Sequence, residues 1–101
     1  MNNIQIQVIQ LLIDELNIAY EEVNLTSSLF HDLGVDGDDA SDLLERFSKE
    51  FNVDISNFKF NDYFGSEVSF VFKLFFPFSK KSFKKLTVQD LIIAAEKGKL
   101  E

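Results

Sequence analysis

The sequence predicts an all-α domain, a bundle of three main helices and a short fourth, and three observations carry that prediction. Apolar residues recur at helical spacing in two long stretches, from Ile4 to Leu16 and from Ala40 to Phe51. A Thr-x-x-Asp start at Thr87 opens a third such stretch. With 101 residues, 46% hydrophobic and 27% charged, the chain has the size and balance of one folded domain, spanning 1–101.

In the first element, Ile4, Val8, Ile9, Leu11, Leu12 and Leu16 form one face, leaving Gln5, Gln7, Gln10, Asp14 and Glu15 largely to the other, and the helix should end near residue 18. The stretch AYEEVNLTSSLFHDLGVDGD sets polar and turn-forming residues between isolated apolar ones. It reads as a long ordered loop anchored by Leu25, Leu29, Phe30 and Leu33. The second helix presents Ala40, Leu43, Leu44, Phe47 and Phe51 as its apolar stripe. Asp36 is placed to accept a backbone N–H as its N-cap, Asp38 and Asp39 suit the positive end of the helix dipole, and Gly34 and Gly37 allow a close approach. Along its surface, Asp42 with Arg46 and Glu45 with Lys49 have the spacing of ion pairs.

After an exit turn at FNVDIS, the segment FKFNDYFG predicts a short helix carrying Phe60, Tyr63 and Phe64, closed by Gly65. The last helix has Thr87 as N-cap with Asp90 three residues on, turns Val88, Leu91, Ile92 and Ala95 inward, and stops at Gly98. Between these two helices, SEVSFVFKLFFPFSKKSFKK alternates like a strand at Val68, Phe70 and Phe72, yet also fits an irregular helix over 66–75 stopped by Pro77.

Composition excludes several classes of function. The chain has no cysteine, so packing alone must hold it together and a reducing cytosol is the expected compartment. Its N-terminus has no basic leader, and its apolar residues are interrupted by Asn, Gln, Asp and Glu, which fits neither a signal peptide nor a membrane span. A formal net charge of -7 disfavours nucleic acid and favours a basic protein partner. The charge is unevenly spread: eleven Asp or Glu face only Arg46 and Lys49 up to residue 50, whereas seven Lys face Asp90, Glu96 and Glu101 from Phe70 onward.

At Phe30-His31-Asp32-Leu33-Gly34-Val35-Asp36-Gly37-Asp38, followed by ASDLLERFSKEFNVDI, the chain resembles the acyl carrier protein family. That family has an apolar residue, Asp-Leu-Gly, a small apolar residue, Asp-Ser-Leu, an acidic helix and a Glu-Phe exit. The likeness extends to the long first loop and to the closing LTVQDLI, so it covers most of residues 4–55 and 86–97. The blocks NFKFNDYFGSE and LTVQDLIIAAEKGKL look more like a bacterial branch of carrier-like proteins with no assigned function. The resemblance implies an acyl-carrier-like connectivity, with the Phe-rich insertion packed beside the bundle ahead of the last helix.

The departure from the family pattern falls on Gly37, which aligns with the serine that takes the phosphopantetheine arm. Glycine offers no nucleophile, so the resemblance implies an arm-free, non-enzymatic protein without a cofactor. Ser41 lies about one helical turn further on, on the order of 6 Å along the axis, which displaces it from the modification geometry. Carrier-like domains present their second helix to Lys and Arg patches, which makes Asp36, Asp38, Asp39, Asp42 and Glu45 the candidate partner-binding residues. Support of the helix by the same residues is the competing explanation.

Other sites fail on inventory. Counted from Asp32, the third and twelfth positions of a calcium loop would be Gly34 and Leu43. With His31 the single histidine and no cysteine, neither a zinc site nor a Cys/His nucleophile can be assembled, and His31 reads as a loop surface residue. No carboxylate pair is set in an apolar pocket that would split its pKa values, and no phosphate-cradling loop is present. Nine of the twelve Phe fall between Phe58 and Phe83, among Lys73, Lys80, Lys81, Lys84 and Lys85. Most should be core, and an exposed remainder would form a homodimer or partner surface, with weak anionic-membrane contact the lesser alternative. The expected function is a protein-interaction module working through its acidic second helix. The alternatives are a non-covalent lipid or acyl-chain binder and a carrier modified at another serine.

Overall fold

A computed structural model describes residues 3–64 and 84–101, and among them the regular structure is helical throughout, with no strand. Helix α1 spans Asn3–Leu16, α2 Gly37–Phe51, α3 Phe60–Tyr63 and α4 Val88–Lys97. The all-α prediction therefore holds for the described residues. The expected helix over 66–75 and the closing role of Gly65 lie outside them.

The core is built from the predicted stripes. Val8, Leu11 and Leu12 of α1 join Ala40, Leu43, Leu44 and Phe47 of α2 and Val88, Leu91 and Ile92 of α4 in one buried cluster. Helix α1 packs against both α2 and α4, because its apolar face is wide enough to meet two neighbours. It ends at Asn17, whose φ of +54° is a left-handed conformation that asparagine tolerates better than most residues. In α4 the buried alanine is Ala94, with Ala95 only partly covered, so the inward face is turned slightly from the predicted one.

The long first loop contains one 3-10 turn at Tyr20–Glu22 and is then tied to the start of α4. An isolated antiparallel bridge joins Ser28 to Thr87, and the Leu29 N–H donates to the Leu86 carbonyl at 2.8 Å. The Val88 and Gln89 N–H groups donate to the carbonyls of Ser27 and Leu25, both at 3.0 Å. The next two donors of α4 are met by Thr87, through its side chain for Asp90 and its carbonyl for Leu91. Every orphan N–H of that helix start thus has a partner. This corrects the expected role of Leu25: the residue is 38% exposed, and it is the carbonyl that anchors. Leu29 and Val35 are the buried anchors, while Phe30 and Leu33 are partly covered against the core.

The C-terminal ends are pinned to each other. Helix α2 closes on Asn52 with φ +53°, after which Val53 is buried and the Ser48 hydroxyl donates to its carbonyl at 2.6 Å. Asp54 then pairs in parallel with Lys99: the Asp54 N–H donates to the Gly98 carbonyl and the Leu100 N–H to the Asp54 carbonyl, each at 2.9 Å. Leu100 is thereby drawn into the core. The one-turn α3 carries Phe60 and Tyr63 as predicted, and Phe64, just past its end, is buried with its ring 5.1 Å from that of Phe60.

Candidate functional site

Helix α2 divides cleanly into two faces. Ala40, Leu43, Leu44 and Phe47 are buried, and opposite them Asp38, Asp42 and Glu45 fall at i, i+4 and i+7, one row on the exposed side. Asp36 and Asp39 are also exposed and flank the start of that row. The structure therefore brings all five predicted carboxylates to the outer face and N-terminal end of a single helix.

Of the two ion pairs the spacing predicts, one forms and one does not. Lys49 and Glu45 pair as expected, Nζ to Oε1 at 3.0 Å. Arg46 does not turn to Asp42. Its Nε donates to Glu50 at 2.9 Å and its Nη1 to Glu15 of α1 at 3.1 Å. These two carboxylates hold the guanidinium still more firmly in its charged form, the hydrogen bond to Glu50 contributing most and that to Glu15 next. The physical reason is position: Glu50 lies on the side of α2 nearer its buried face, where α1 packs, so one orientation of Arg46 reaches both acids. The sequence reading missed Glu15, since a cross-helix pair 31 residues apart leaves no local signature.

Asp36, Asp38, Asp39 and Asp42 consequently have no ion-pair partner among the described residues. Asp36 does occupy the N-cap, with φ -154° and ψ 164°, but its side chain makes no capping hydrogen bond. That corrects the expectation of a side-chain cap and leaves the carboxylate turned to solvent. An open groove of about 540 Å³ runs along the same face, lined by Glu15, Asp42, Glu45, Arg46, Lys49 and Glu50.

Gly37 begins α2 with φ +56°, and Gly34 before it has φ +72°. A Cβ at either would meet no heavy atom within 4 Å, so these glycines serve backbone handedness and not the close approach the sequence suggested.

The loop leading to α2 brings Ser28, His31 and Asp32 together, a trio that invites comparison with a nucleophilic triad. Ser28 is wholly buried; its Oγ lies 3.0 Å from His31 Nδ1 and accepts the His31 backbone N–H at 3.1 Å. The Asp32 carboxylate accepts the Ser28 backbone N–H at 2.7 Å and makes no bond to the imidazole. The arrangement caps a turn, since the hydroxyl is sealed from any substrate. His31 itself is exposed, as predicted, with the Phe30 ring against its edge. Among the described residues no group of three or more His, Cys, Asp or Glu is placed to hold a metal ion. No helix among them is long and apolar enough to cross a membrane.

Comparison with known proteins gives a family and two groups of bacterial relatives. Residues 1–100 match the sequence model of a family described as "Protein of unknown function (DUF1493)". The chain is 40% identical over 55 residues to the acyl carrier protein of Porphyromonas gingivalis, in each of two strains, an overlap covering 54% of this chain and 70% of the relative. It is 34% identical over 55 residues to the acyl carrier protein of Amoebophilus asiaticus, covering 54% and 69% respectively. No solved structure matches the chain.

Proposed function

The chain belongs to the DUF1493 family and is related to bacterial acyl carrier proteins over about half its length, and from that premise we propose that it is an arm-free, carrier-like interaction module. It works without enzymatic chemistry, presenting the start of α2 to a basic partner protein. The observation that carries this reading is the set of exposed carboxylates at Asp36, Asp38, Asp39 and Asp42, none with an ion-pair partner among the described residues, on the face opposite the core. Unpaired like charges clustered at the start of one helix cost a folded protein some repulsion, and a cationic partner surface relieves it. Gly37, where the carrier pattern has its serine, supports the absence of a phosphopantetheine arm.

The test compares the native chain with a variant carrying Asp38→Lys, Asp42→Lys and Glu45→Lys, each immobilised and exposed to the same cell extract. The native chain retains a basic protein that elutes with rising salt, and purified complexes lose about tenfold or more in affinity on charge reversal, equivalent to roughly 1.4 kcal/mol. Equal affinity of both forms for the same partner would remove the acidic row from the function. Intact-mass measurement after incubation with coenzyme A and a broad-specificity phosphopantetheinyl transferase checks the other half of the reading. An unchanged mass is expected, and an added arm on Ser41 would make the protein a carrier.

A further inference from the structure

The start of α2 is fixed at both ends. Val35 is buried and its N–H donates to the Leu29 carbonyl at 2.8 Å, and Ala40, at the first inward position of the helix, is fully buried. Between these anchors the chain must turn from the loop into the helix within Asp36–Asp39, and it does so by taking Gly37 to φ +56°. A side chain there would have open space around it, since an added Cβ meets no heavy atom within 4 Å. Handedness alone, and not crowding by neighbours, separates glycine from other residues at this position.

We infer that Gly37 is required as glycine by the left-handed turn into α2, so that the position is closed to a prosthetic arm by backbone conformation as well as by the lack of a nucleophile. An L residue held at this φ brings its Cβ against its own following carbonyl oxygen. A serine placed here must either bear that cost or rotate the backbone, and rotation pulls against Val35 or Ala40. The chain is then not a carrier one substitution away from activity. The exclusion of the arm rests on the reading above, in which Gly37 stands where carriers have serine; the backbone requirement is independent of it.

The experiment is a series at one position, Gly37→Ala, Gly37→Ser and Gly37→Asn, followed by urea unfolding and by intact mass after treatment with coenzyme A and a broad-specificity phosphopantetheinyl transferase. A bacterial acyl carrier protein serves as the positive control. In a right-handed helical turn, replacing glycine by alanine strengthens folding. Here the sign reverses: alanine and serine lower the folding equilibrium constant about five- to thirtyfold, and asparagine, which accepts left-handed backbone more readily, lowers it less. The serine variant stays at its unmodified mass. An alanine variant as stable as the native chain, or more so, overturns the backbone requirement. A serine variant that folds and gains the phosphopantetheine mass overturns the closure, while showing that Gly37 does occupy the carrier serine's place. An arm on the native chain would instead sink the proposed function, and the stability series would still decide the backbone requirement alone.

Discussion

The two helix starts joined to the first loop should respond unequally to loss of their N-cap residues. At α4, Thr87 Oγ1 accepts the Asp90 N–H at 3.2 Å and Asp90 Oδ2 accepts the Thr87 N–H at 3.0 Å, a reciprocal pair in a partly buried setting. At α2, the Asp36 side chain makes no such bond. Thr87→Ala removes one accepted bond outright and leaves the Asp90 N–H without its partner, a cost of about 1 to 2 kcal/mol. For a domain of this length, each kcal/mol corresponds to a fall in Tm of roughly 4 to 8 °C. Asp36→Ala forfeits only a solvent-exposed interaction with the helix dipole, under about 0.5 kcal/mol, and relieves repulsion from Asp38 and Asp39. Thermal and urea unfolding followed by far-UV circular dichroism separate the two variants. Equal losses for both would mean that Asp36 caps α2 in solution, and its carboxylate would no longer be available to a partner.

Two further outcomes follow from the same structure. The Asp54 carboxyl is held below the usual carboxylate range, first by the Ser56 side chain, then by the Ser56 backbone N–H at 2.9 Å, with Lys99 adding attraction. A depressed folded value contributes stability above the unfolded value, near about pH 4, and loses it as pH falls through the folded one. Asp54→Asn should therefore lose less stability than the native chain on acidification below about pH 4, and a steeper loss in the variant would contradict the assignment. Asp42→Asn should leave the urea midpoint unchanged while weakening partner binding, measured by titration calorimetry at low salt; a shifted midpoint with unchanged affinity would assign Asp42 to the fold.

What the sequence made legible was whatever depends on neighbours in the chain. The stripes of α1 and α2, the Thr87 and Asp90 capping box and the stop at Gly98 are local patterns, and each is present in the structure. What it left hidden depends on groups brought together by folding. Leu25 looked like an apolar anchor because its side chain is the visible feature of a sequence, whereas the bond it makes uses a carbonyl every residue has. Arg46 was assigned to Asp42 by spacing, but α1 delivers Glu15 beside Glu50 and the pair outcompetes the single acid. The role of Gly37 was misread from the sequence as a close approach, because the positive φ and the empty surroundings that show a turn of backbone handedness are visible only in the folded chain.

The engagement of Arg46 by Glu50 and Glu15 bears directly on how the acidic row of α2 should be understood. Asp38 and Asp39 lie in the first turn, where the positive end of the helix favours a carboxylate by about 0.3 to 1 kcal/mol, so their presence is accounted for without any partner. Glu45 is accounted for by Lys49. Asp42 has neither explanation: it sits beyond the first turn, where the dipole has faded, and the one cation at i+4 from it is engaged elsewhere. Exposed, on the outer row and bordering the groove shared with Glu15 and Glu45, it is a charge the fold makes no use of among its described residues. Asp42 is therefore where helix support and partner docking are best told apart, since its removal should leave stability unchanged and weaken binding if docking is its role.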